Sequence, residues 1–496
     1  MGTHSTAALS DAATLRVLKI ALGCCLTAFF LASVASPPAD LDMWHEMALI
    51  RESLAAGHLL RQDRFAYTPT VSPMVDHEWG AGAILYGLAA VGGSWPVVAL
   101  KYLLALATAG LAFLCARRRG ASWEALGLLT PLAMPLFGLG CGTLRAHAYS
   151  FLFVALLLWF LELDSGGNRR WIPAWVLLFV VWANIHGGCI MGIVVLGLYW
   201  VEQVARRRPH LHILGTIALS FAAMAVNPFG LAYYRHMWET LRMPRPEIAE
   251  WWPVWRGAPG YVTLFWITLA IAGAAVVKRG PRAARGALIL AAMAAGTILH
   301  IRVVPLYAVV WAAYVPAWVS ATPASAWIAR LFRWREAATA VCVIGTMFFG
   351  VMVVAIGAWR LTVPGDLFPV GAVQYLAEQK LHGNVMTPFD QGAYVTWRLF
   401  PAVKVSLDSR YDIAFPPALA DESFRFYRAE PGWRETLTKY PTDLVLTLRT
   451  APLARQMPST GWRRVYADKW FELYARPGLD LPFRDGAAGG RWGSFP

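Results

Sequence analysis

Two aspartates, a histidine and a glutamate follow the first long apolar segment within seven residues, in the stretch PADLDMWHEMAL (38–49). Carboxylates at this spacing can act as a general base or bind a divalent cation through oxygen ligands. Asp42 is the predicted base, and Asp40 assists it or shares an Mg²⁺ or Mn²⁺ ion with it, while His45 is a predicted substrate contact. The alternative is that the aspartates cap the following helix and that Trp44 anchors the chain at the membrane interface.

A second polar cluster opens the stretch DHEWGAGAILYGL, which begins at Asp76. An acid beside an apolar helix in a membrane interface must find a partner. If this helix folds back toward Asp42, Glu78 becomes a catalytic candidate and His77 a substrate contact, although a structural role suits His77 equally well. We expect the loop 36–94 to carry two helices that lie in the outer interface with their apolar faces in lipid.

Further polar residues stand where later apolar segments end: Arg145 and His147 in GTLRAHAYS, His186 in WANIHGGCIMG, and His300 and Arg302 in LHIRVVPL. A lipid-linked phosphate needs a cation at the bilayer surface, and a guanidinium binds it through a fork of N–H groups. Arg145 and Arg302 are therefore predicted to bind a donor phosphate, and the three histidines to contact substrate. Each arginine could instead reach lipid headgroups, and each histidine could be structural.

The segment 228–260 is rich in tryptophan, arginine and glutamate. Aromatic faces with charged neighbours suit sugar stacking, and they suit an interfacial aromatic belt as well. Glu247 and Glu250 are possible acceptor contacts in this segment.

The composition is that of an integral membrane protein: of 496 residues, 57% are hydrophobic and 15% are charged, and the mean hydropathy is +0.46. The net charge of +14 lies in short basic clusters between apolar segments, so bilayer orientation explains it better than nucleic-acid binding. The six cysteines all lie in or beside apolar segments, without CxxC spacing, and indicate neither a disulfide framework nor a metal site.

About eleven segments are long and apolar enough to be candidate spans. They cover residues 17–35, 95–115, 122–141, 149–164, 171–186, 189–205, 211–227, 261–278, 285–300, 303–320 and 338–359. Basic residues collect in alternate loops, near 117–119, 169–170, 206–208, 278–285 and 330–335. Because such residues favour the cytoplasmic side, we expect a cytoplasmic N-terminus. The end of the first span, SVASPPAD, resembles a signal-peptide cleavage site, but we expect an uncleaved anchor because many spans follow and the next residues look functional.

The remaining residues, 360–496, are expected outside as a small α/β domain that follows a transmembrane domain of residues 1–359. PVGAVQYLAEQKL has the pattern of an amphipathic helix, and GNVMTP, AVKVSLD, TDLVLTL and WFELYAR have strand character. The stretch VSLDSRYDIAFP follows one of these strands, where such folds often bind ligands. A salt-bridged turn is the simpler interpretation of its charges.

The order of spans and loops over about the first 230 residues resembles the GT-C superfamily of membrane glycosyltransferases. The residues that carry the resemblance are Asp40 and Asp42 with MWHEMA, the DHEWGAGAILYGL stretch, and Lys101 at the opening of the second span. The acids here are spaced Asp-x-Asp, and the proline-rich signature of many relatives is absent. The elements WANIHGG, NPFG and LDSRYD are also similar to a group of bacterial and archaeal polytopic membrane proteins, which implies no substrate.

The resemblance implies transfer of a sugar from a polyprenyl-phosphate donor to a glycan, lipid or protein acceptor at the outer face of the cytoplasmic membrane. It adds Lys101 to the predicted phosphate-binding residues and keeps a divalent metal ion as a possible cofactor. Two other functions stay open: a transporter or flippase, and a non-catalytic scaffold. Transporters place their polar groups near the bilayer midplane, whereas these groups collect at one face.

Overall fold

The computed structural model describes residues 3–486 and 492–496. Residues 3–356 form helices joined by loops. The helices are α1 (Thr3–Ser33), α2 (Met43–Ala56), α3 (Trp79–Gly92), α4 (Ser94–Arg118), α5 (Trp123–Cys141), α6 (His147–Ser165), α7 (Trp171–Ile185), α8 (Ile190–Ala205), α9 (Leu211–Ala223), α10 (Ala232–Arg242), α11 (Pro259–Arg279), α12 (Ala287–Leu299), α13 (Val304–Ser320), α14 (Ala324–Leu331) and α15 (Arg335–Ile356).

Every predicted span coincides with one of these helices. Within the described residues, eight helices are long and apolar enough to cross a membrane, namely α1, α4, α5, α6, α8, α11, α13 and α15. The helices α7, α9 and α12 fall on the other three predicted spans and are apolar but shorter. The expectation of a polytopic helical protein is therefore confirmed.

Helix α13 forms the centre of the bundle, because its sequence is apolar on every side. It packs against α4, α5, α6, α11 and α12, and its large side chains Tyr307, Trp311, Tyr314 and Trp318 are all buried. Helix α15 is equally apolar but packs mainly on α1, which leaves side chains such as Val341 and Met347 exposed. An exposed apolar face of this kind suits contact with lipid tails.

The C-terminal part is an α/β unit, as predicted. Its helices are α16 (Val370–Glu378), α17 (Phe389–Leu399), α18 (Tyr411–Ala414), α19 (Pro417–Tyr427), α20 (Trp433–Lys439) and α21 (Pro452–Gln456). Its strands are β1 (Val363–Pro364), β2 (Gly383–Met386), β3 (Val403–Val405), β4 (Leu444–Leu448), β5 (Arg463–Ala467), β6 (Phe471–Ala475), β7 (Arg484–Asp485) and β8 (Trp492–Gly493).

Six of these strands form one mixed sheet in the described part of the chain, in the order β3-β2-β4-β6-β5-β7. Strand β2 is parallel to β3 and β4, and β6 is antiparallel to β4 and β5. The four predicted strand segments correspond to β2, β3, β4 and β6. Strand β5 was not predicted, because its first two residues are exposed arginines.

Helix α2 lies inside the protein rather than in a lipid interface. We expected lipid against its apolar face, but its residues from Met43 to Ile50 are all buried. Trp44 is fully buried and packs edge-on against Phe368 and Tyr394, so it is not an interfacial anchor. The expectation was wrong because the C-terminal α/β unit, through α17, covers the face that sequence alone assigns to lipid.

A buried ion cluster joins the loop after α2 to the α/β unit. The guanidinium of Arg410 binds both oxygens of Asp408, at 2.8–3.1 Å, and also pairs with Asp63. All three side chains are 0% exposed. The stretch LDSRYD is thus a salt-bridged turn, as its simpler interpretation held, and it also fixes the position of loop 57–78.

We predict that Arg410→Met destabilises the fold by about 3 to 5 kcal/mol, because it leaves two buried carboxylates without their cation. Thermal unfolding of the purified full chain in detergent measures this loss. The matched control is Arg463→Met, since Arg463 pairs only at the surface, with the 99% exposed Asp480. Equal melting temperatures for the two variants would contradict the prediction.

Candidate active site

Arg145 lies at the centre of three carboxylates that come from two other segments of the chain. It stands between α5 and α6, and its guanidinium pairs with Asp42 after α1 and with Glu250 after α10. Its Nε atom lies 3.4 Å from Oδ1 of Asp40. The structure therefore brings together the predicted residues Asp40, Asp42 and Arg145, and it adds Glu250, which the sequence suggested only as an acceptor contact.

Asp40 is held by its own local hydrogen bonds. Its Oδ2 accepts from the Thr143 hydroxyl at 2.6 Å, and its Oδ1 accepts from the backbone N–H of Asp42 at 3.0 Å. The side chain of Asp42 makes no capping bond to α2, although Asp42 occupies the N-cap position. The capping alternative therefore does not account for Asp42.

Lys101 fixes the two loops that carry these residues. Its buried Nζ donates to the carbonyl oxygens of Val34 and Ser36 at 3.3 Å and of Gly142 at 3.0 Å. These carbonyls precede Asp40 and Arg145 in their respective loops. The structure thus sets Lys101 behind the acids, with its three donors in use, and its predicted role at the donor phosphate stays a prediction.

The two aspartates titrate differently. Burial raises the pKa of the Asp40 carboxyl to about 6, against the opposing effect of Arg145. Burial also acts to raise the pKa of Asp42, but the Arg145 guanidinium and His45 outweigh it, and the pKa lies below its usual value. Asp42 is consequently the acid that remains ionised most readily.

Glu78 lies between two histidines. Its Oε1 is 3.3 Å from Nε2 of His186 and 3.6 Å from Nε2 of His77. On the other side of the His186 ring, Nδ1 accepts from the backbone N–H of Gly188 at 3.1 Å and lies 2.6 Å from the Ser150 hydroxyl. Because Nδ1 is an acceptor, Nε2 carries the ring proton, and this N–H lies 3.3 Å from Oε1 of Glu78.

Ser150 completes this chain. Its oxygen accepts from Nε1 of Trp182 at 2.7 Å, so its own proton is free to be donated to His186. Ser150 and Trp182 are both buried, and they looked like ordinary core residues in the sequence. Ser150 and Trp182 were missed because Ser150 lies more than 30 residues from both Trp182 and His186 in the sequence.

Glu78 is surrounded by more negative than positive charge. Burial, together with the nearby carboxylates of Asp412, Asp42 and Asp76, raises the pKa of its carboxyl to about 8, although Arg145 opposes this shift. Burial also raises the pKa of Glu46, on α2, well above its usual value. Burial lowers the pKa values of His77 and His186, so both rings are neutral near pH 7. The Glu78 carboxyl is therefore protonated at neutral pH.

The α/β unit supplies another wall of the site. The Ser409 hydroxyl lies 2.9 Å from Nδ1 of His45 and hydrogen-bonds to the carboxylate of Asp42. Asp412 pairs with Arg245 at 3.3 Å, and its charge acts on Glu78 and His77. The sequence assigned this stretch to a possible ligand site of a separate domain, and the structure joins it to the residues after the first span.

Arg302 is the exposed cation at the edge of this group. Its guanidinium lies 4.4 Å from the ring centroid of Trp251, whose ring also has Arg245 at 4.4 Å. In the part of the chain that the structure describes, Arg302 forms no hydrogen bond or ion pair. The segment 228–260 therefore contributes Glu250 and Trp251 to the site, and the ring of Trp251 contacts guanidinium groups.

The other two predicted histidines are satisfied by backbone carbonyls. His147 donates from Nε2 to the carbonyl oxygen of Gly140 at 2.7 Å, and His300 donates from Nδ1 to that of Trp251 at 2.8 Å. Each leaves a single ring nitrogen for other contacts. Their substrate-binding roles, like those of His45, His77 and His186, stay predictions.

The acids do not fit a divalent ion as they stand. Asp42 and Glu250 direct their carboxylates at the Arg145 guanidinium, and Asp40 is engaged by Thr143 and by backbone. Across residues 3–486 and 492–496, no group of three or more histidine, cysteine or acidic side chains is arranged to hold a metal ion. The metal predicted at Asp40 and Asp42 would have to displace Arg145.

Comparison with known proteins identifies the fold. No protein-family profile matches the sequence, and no curated protein is detectably similar to it. The oligosaccharyltransferase AglB of Archaeoglobus fulgidus, solved with an inhibitory peptide and a dolichol-phosphate, matches with a TM-score of 0.58 at 12% identity, over 89% of this chain and 70% of its own.

A second structure of that enzyme, in the apo form, matches with a TM-score of 0.58 at 12% identity, over 95% of this chain and 75% of its own. ArnT of Cupriavidus metallidurans, also apo, gives 0.55 at 14% identity, over 94% of this chain and 98% of its own. Both enzymes have the GT-C fold. The fold that the sequence resemblance implied is therefore confirmed.

We predict that infrared spectra of the purified chain contain a protonated-carboxyl band from Glu78 that disappears as the pH rises through about 8. Since its folded pKa exceeds the ordinary value of 4.5, Glu78 contributes stability below pH 4.5 that is lost as pH rises through the folded pKa. Glu78→Gln removes the titrating band, whereas Glu247→Gln retains it. An identical titration in Glu78→Gln would assign the band to another carboxyl, such as Glu46, and contradict the prediction.

We also predict that Gly188→Ala disturbs the support of Glu78. A Cβ atom at this position would lie 2.6 Å from Oγ of Ser150 and closer still to Nδ1 of His186. Such overpacking costs about 1 to 3 kcal/mol. The control is Gly197→Ala on the adjoining helix, where a Cβ meets nothing within 4 Å. Unchanged thermal stability and Glu78 titration in Gly188→Ala would contradict the geometry described above.

Proposed function

We propose that this chain, which has the GT-C fold, transfers a sugar from a polyprenyl-phosphate donor to a hydroxyl of a glycan, lipid or protein acceptor. The observation that carries the proposal is the convergence of Asp40, Asp42 and Glu250 on Arg145 at the ends of apolar helices. AglB and ArnT, of the same fold, give this reaction class its support, and AglB was solved with a dolichol-phosphate.

Asp42 is the proposed general base. Its carboxylate is ionised at neutral pH because Arg145 pairs with it, so it can accept the proton of an acceptor hydroxyl. In the transfer step, the acceptor oxygen bonds to the anomeric carbon, and the bond from that carbon to the phosphate oxygen breaks. The phosphate leaves with the electron pair, and the hydroxyl proton passes to Asp42.

Arg302 is the proposed principal contact of the donor phosphate. It is exposed and has no acidic partner in the residues that the structure describes, so its N–H donors are available to phosphate oxygens. Arg145 has donors left as well: a guanidinium carries five N–H groups, and only three nitrogen-to-carboxylate contacts are formed here. Positive charge at this position stabilises the charge that develops on the leaving group.

Glu78 is proposed to donate a hydrogen bond within the site, in keeping with its protonated state. Oε1 of Glu78 lies 3.3 Å from Nε2 of His186, and Oε2 is proposed to carry the proton toward substrate. The second pKa of a phosphate monoester is about 6, which is below the pKa of Glu78. Glu78 would therefore donate a hydrogen bond to the departing phosphate and keep its proton.

A transporter is the less favoured alternative. The polar residues of the site lie in connecting segments and first helical turns, whereas transporters bind their substrates near the middle of the membrane. The basic clusters lie at the opposite ends of the same helices, for example Arg117 and Arg118 at the end of α4. We therefore propose that the site and the α/β unit face the outside of the cytoplasmic membrane and that the N-terminus is cytoplasmic.

We predict that Asp42→Asn lowers the rate of sugar transfer by about 10² to 10⁴-fold, the usual contribution of a general base. The assay supplies the purified full chain with polyprenyl-phosphate sugars and a mixture of hydroxyl acceptors. Asp480→Asn, at a fully surface-exposed acid of the α/β unit, serves as the control and retains activity. Full transfer by a correctly folded Asp42→Asn variant would reject the proposed base.

A further inference from the structure

The arrangement around Arg145 raises the question of which cation serves this site. Three carboxylates surround one guanidinium, and a divalent ion bound to the same oxygens would have to lie about 2.0 to 2.6 Å from them. Those positions adjoin the guanidinium nitrogens, which pair with Asp42 and Glu250 and approach Asp40 to 3.4 Å. A dication there would meet the full repulsion of Arg145 at short range.

We propose that the guanidinium of Arg145 is the permanent cation of this site and takes the place of a divalent metal ion. The catalytic consequence of this inference rests on the proposed function, whereas the occupation of the site by Arg145 can be tested by Mn²⁺ binding alone. The side chain is anchored on three sides by carboxylates and is 25% exposed, so it presents a fixed edge to the site.

Arginine is suited to this role by its chemistry. It stays protonated at every physiological pH, and its planar fork binds carboxylates and phosphates in the same geometry. A guanidinium held by Asp42 on one edge can donate to a phosphate oxygen on another. It therefore joins the base to the leaving group without requiring a metal from solution.

The surrounding contacts hold the Arg145 side chain in this position. Thr143, two residues before Arg145, donates a hydrogen bond to Asp40. Lys101 binds the carbonyl of Gly142, the residue directly before Thr143. Glu250 comes from a segment that is distant in the sequence. Among the described residues, Arg145 is its only ion-pair partner. Removal of the guanidinium alone would leave three carboxylates converging on one space, which is the oxygen-rich environment that Mn²⁺ and Mg²⁺ prefer.

The test is Mn²⁺ binding to the purified full chain, followed by the loss of the paramagnetic signal of free Mn²⁺. We expect the wild-type protein to bind no stoichiometric Mn²⁺ and to keep its melting temperature when a chelator is added. Arg145→Ala should gain one Mn²⁺ per chain and be stabilised by it, and the gain should disappear in the double variant Arg145→Ala, Asp42→Asn. Arg302→Ala is the matched control, because Arg302 has no carboxylate partner among the described residues, and it should gain nothing.

Two results would overturn the inference. One is stoichiometric Mn²⁺ binding to the wild-type protein that is lost in Asp42→Asn, since Arg145 would then yield its place to the ion. The other is a folded Arg145→Ala variant that binds no Mn²⁺. If Arg145→Ala does not fold, Arg145→Gln and the wild-type measurement provide the same decision.

Transfer assays separate this inference from the proposed function. Wild-type transfer that persists in excess chelator supports both, and transfer that stops in chelator and returns with Mn²⁺ overturns the inference alone. If Mn²⁺ binds as expected but no polyprenyl-phosphate sugar is transferred, Arg145 is still the cation of the site and the proposed reaction is rejected.

Discussion

The contact on which the site depends is the ionic one between Arg145 and the three carboxylates of Asp40, Asp42 and Glu250. Removing charges from water is costly, and the cost is recovered only where partners and hydrogen bonds are placed well. The loops after α1, α5 and α10 must therefore meet in one arrangement. Lys101, which binds the backbone of two of these loops, belongs to the same requirement. The three bonds of Lys101 hold these loops together, and its predicted role at the donor phosphate stays a prediction.

The α/β unit is a structural part of this site. Arg410 ties it to loop 57–78 through a fully buried ion cluster, and Ser409 touches both His45 and Asp42. The burial of Trp44 and the rest of the first half of α2 follows from the same packing. The result is that the acids after the first span are enclosed between helices on one side and a soluble-type domain on the other. This enclosure causes the desolvation that shifts the pKa values of Asp40 and Glu78.

The sequence predicts most of the fold because the signals for it are local. Apolar segments of sufficient length, basic loops and the pattern of strands β2, β3, β4 and β6 are all properties of short windows. The site is predicted in part: Asp40, Asp42, Glu78 and Arg145 stand out as charges beside apolar segments. Ser150 and Trp182 do not, since their roles arise only from contacts between distant segments. Asp412 lies in the stretch VSLDSRYDIAFP, which stands out by its charges, but its effect on Glu78 also arises from such a contact. The lipid-facing position of α2 was wrong for the same reason, because a helix that packs under another domain has the same apolar pattern as one that packs on lipid.

The buried acids of the site have two kinds of surroundings, and the difference supports the roles proposed for them. Asp42 is paired with Arg145 and bonded to Ser409, which keeps it ionised, whereas Glu78 has neutral histidines beside it and holds its proton. Asp40 is intermediate, with its pKa near about 6, and its oxygens are engaged by Thr143 and by backbone. An incoming phosphate adds negative charge, which raises the pKa of each carboxyl nearby. Asp40 would be protonated before Asp42, because it makes the weaker contact with Arg145. Under the proposed function, substrate binding would therefore sharpen the distinction between the ionised Asp42 and its neutral neighbours.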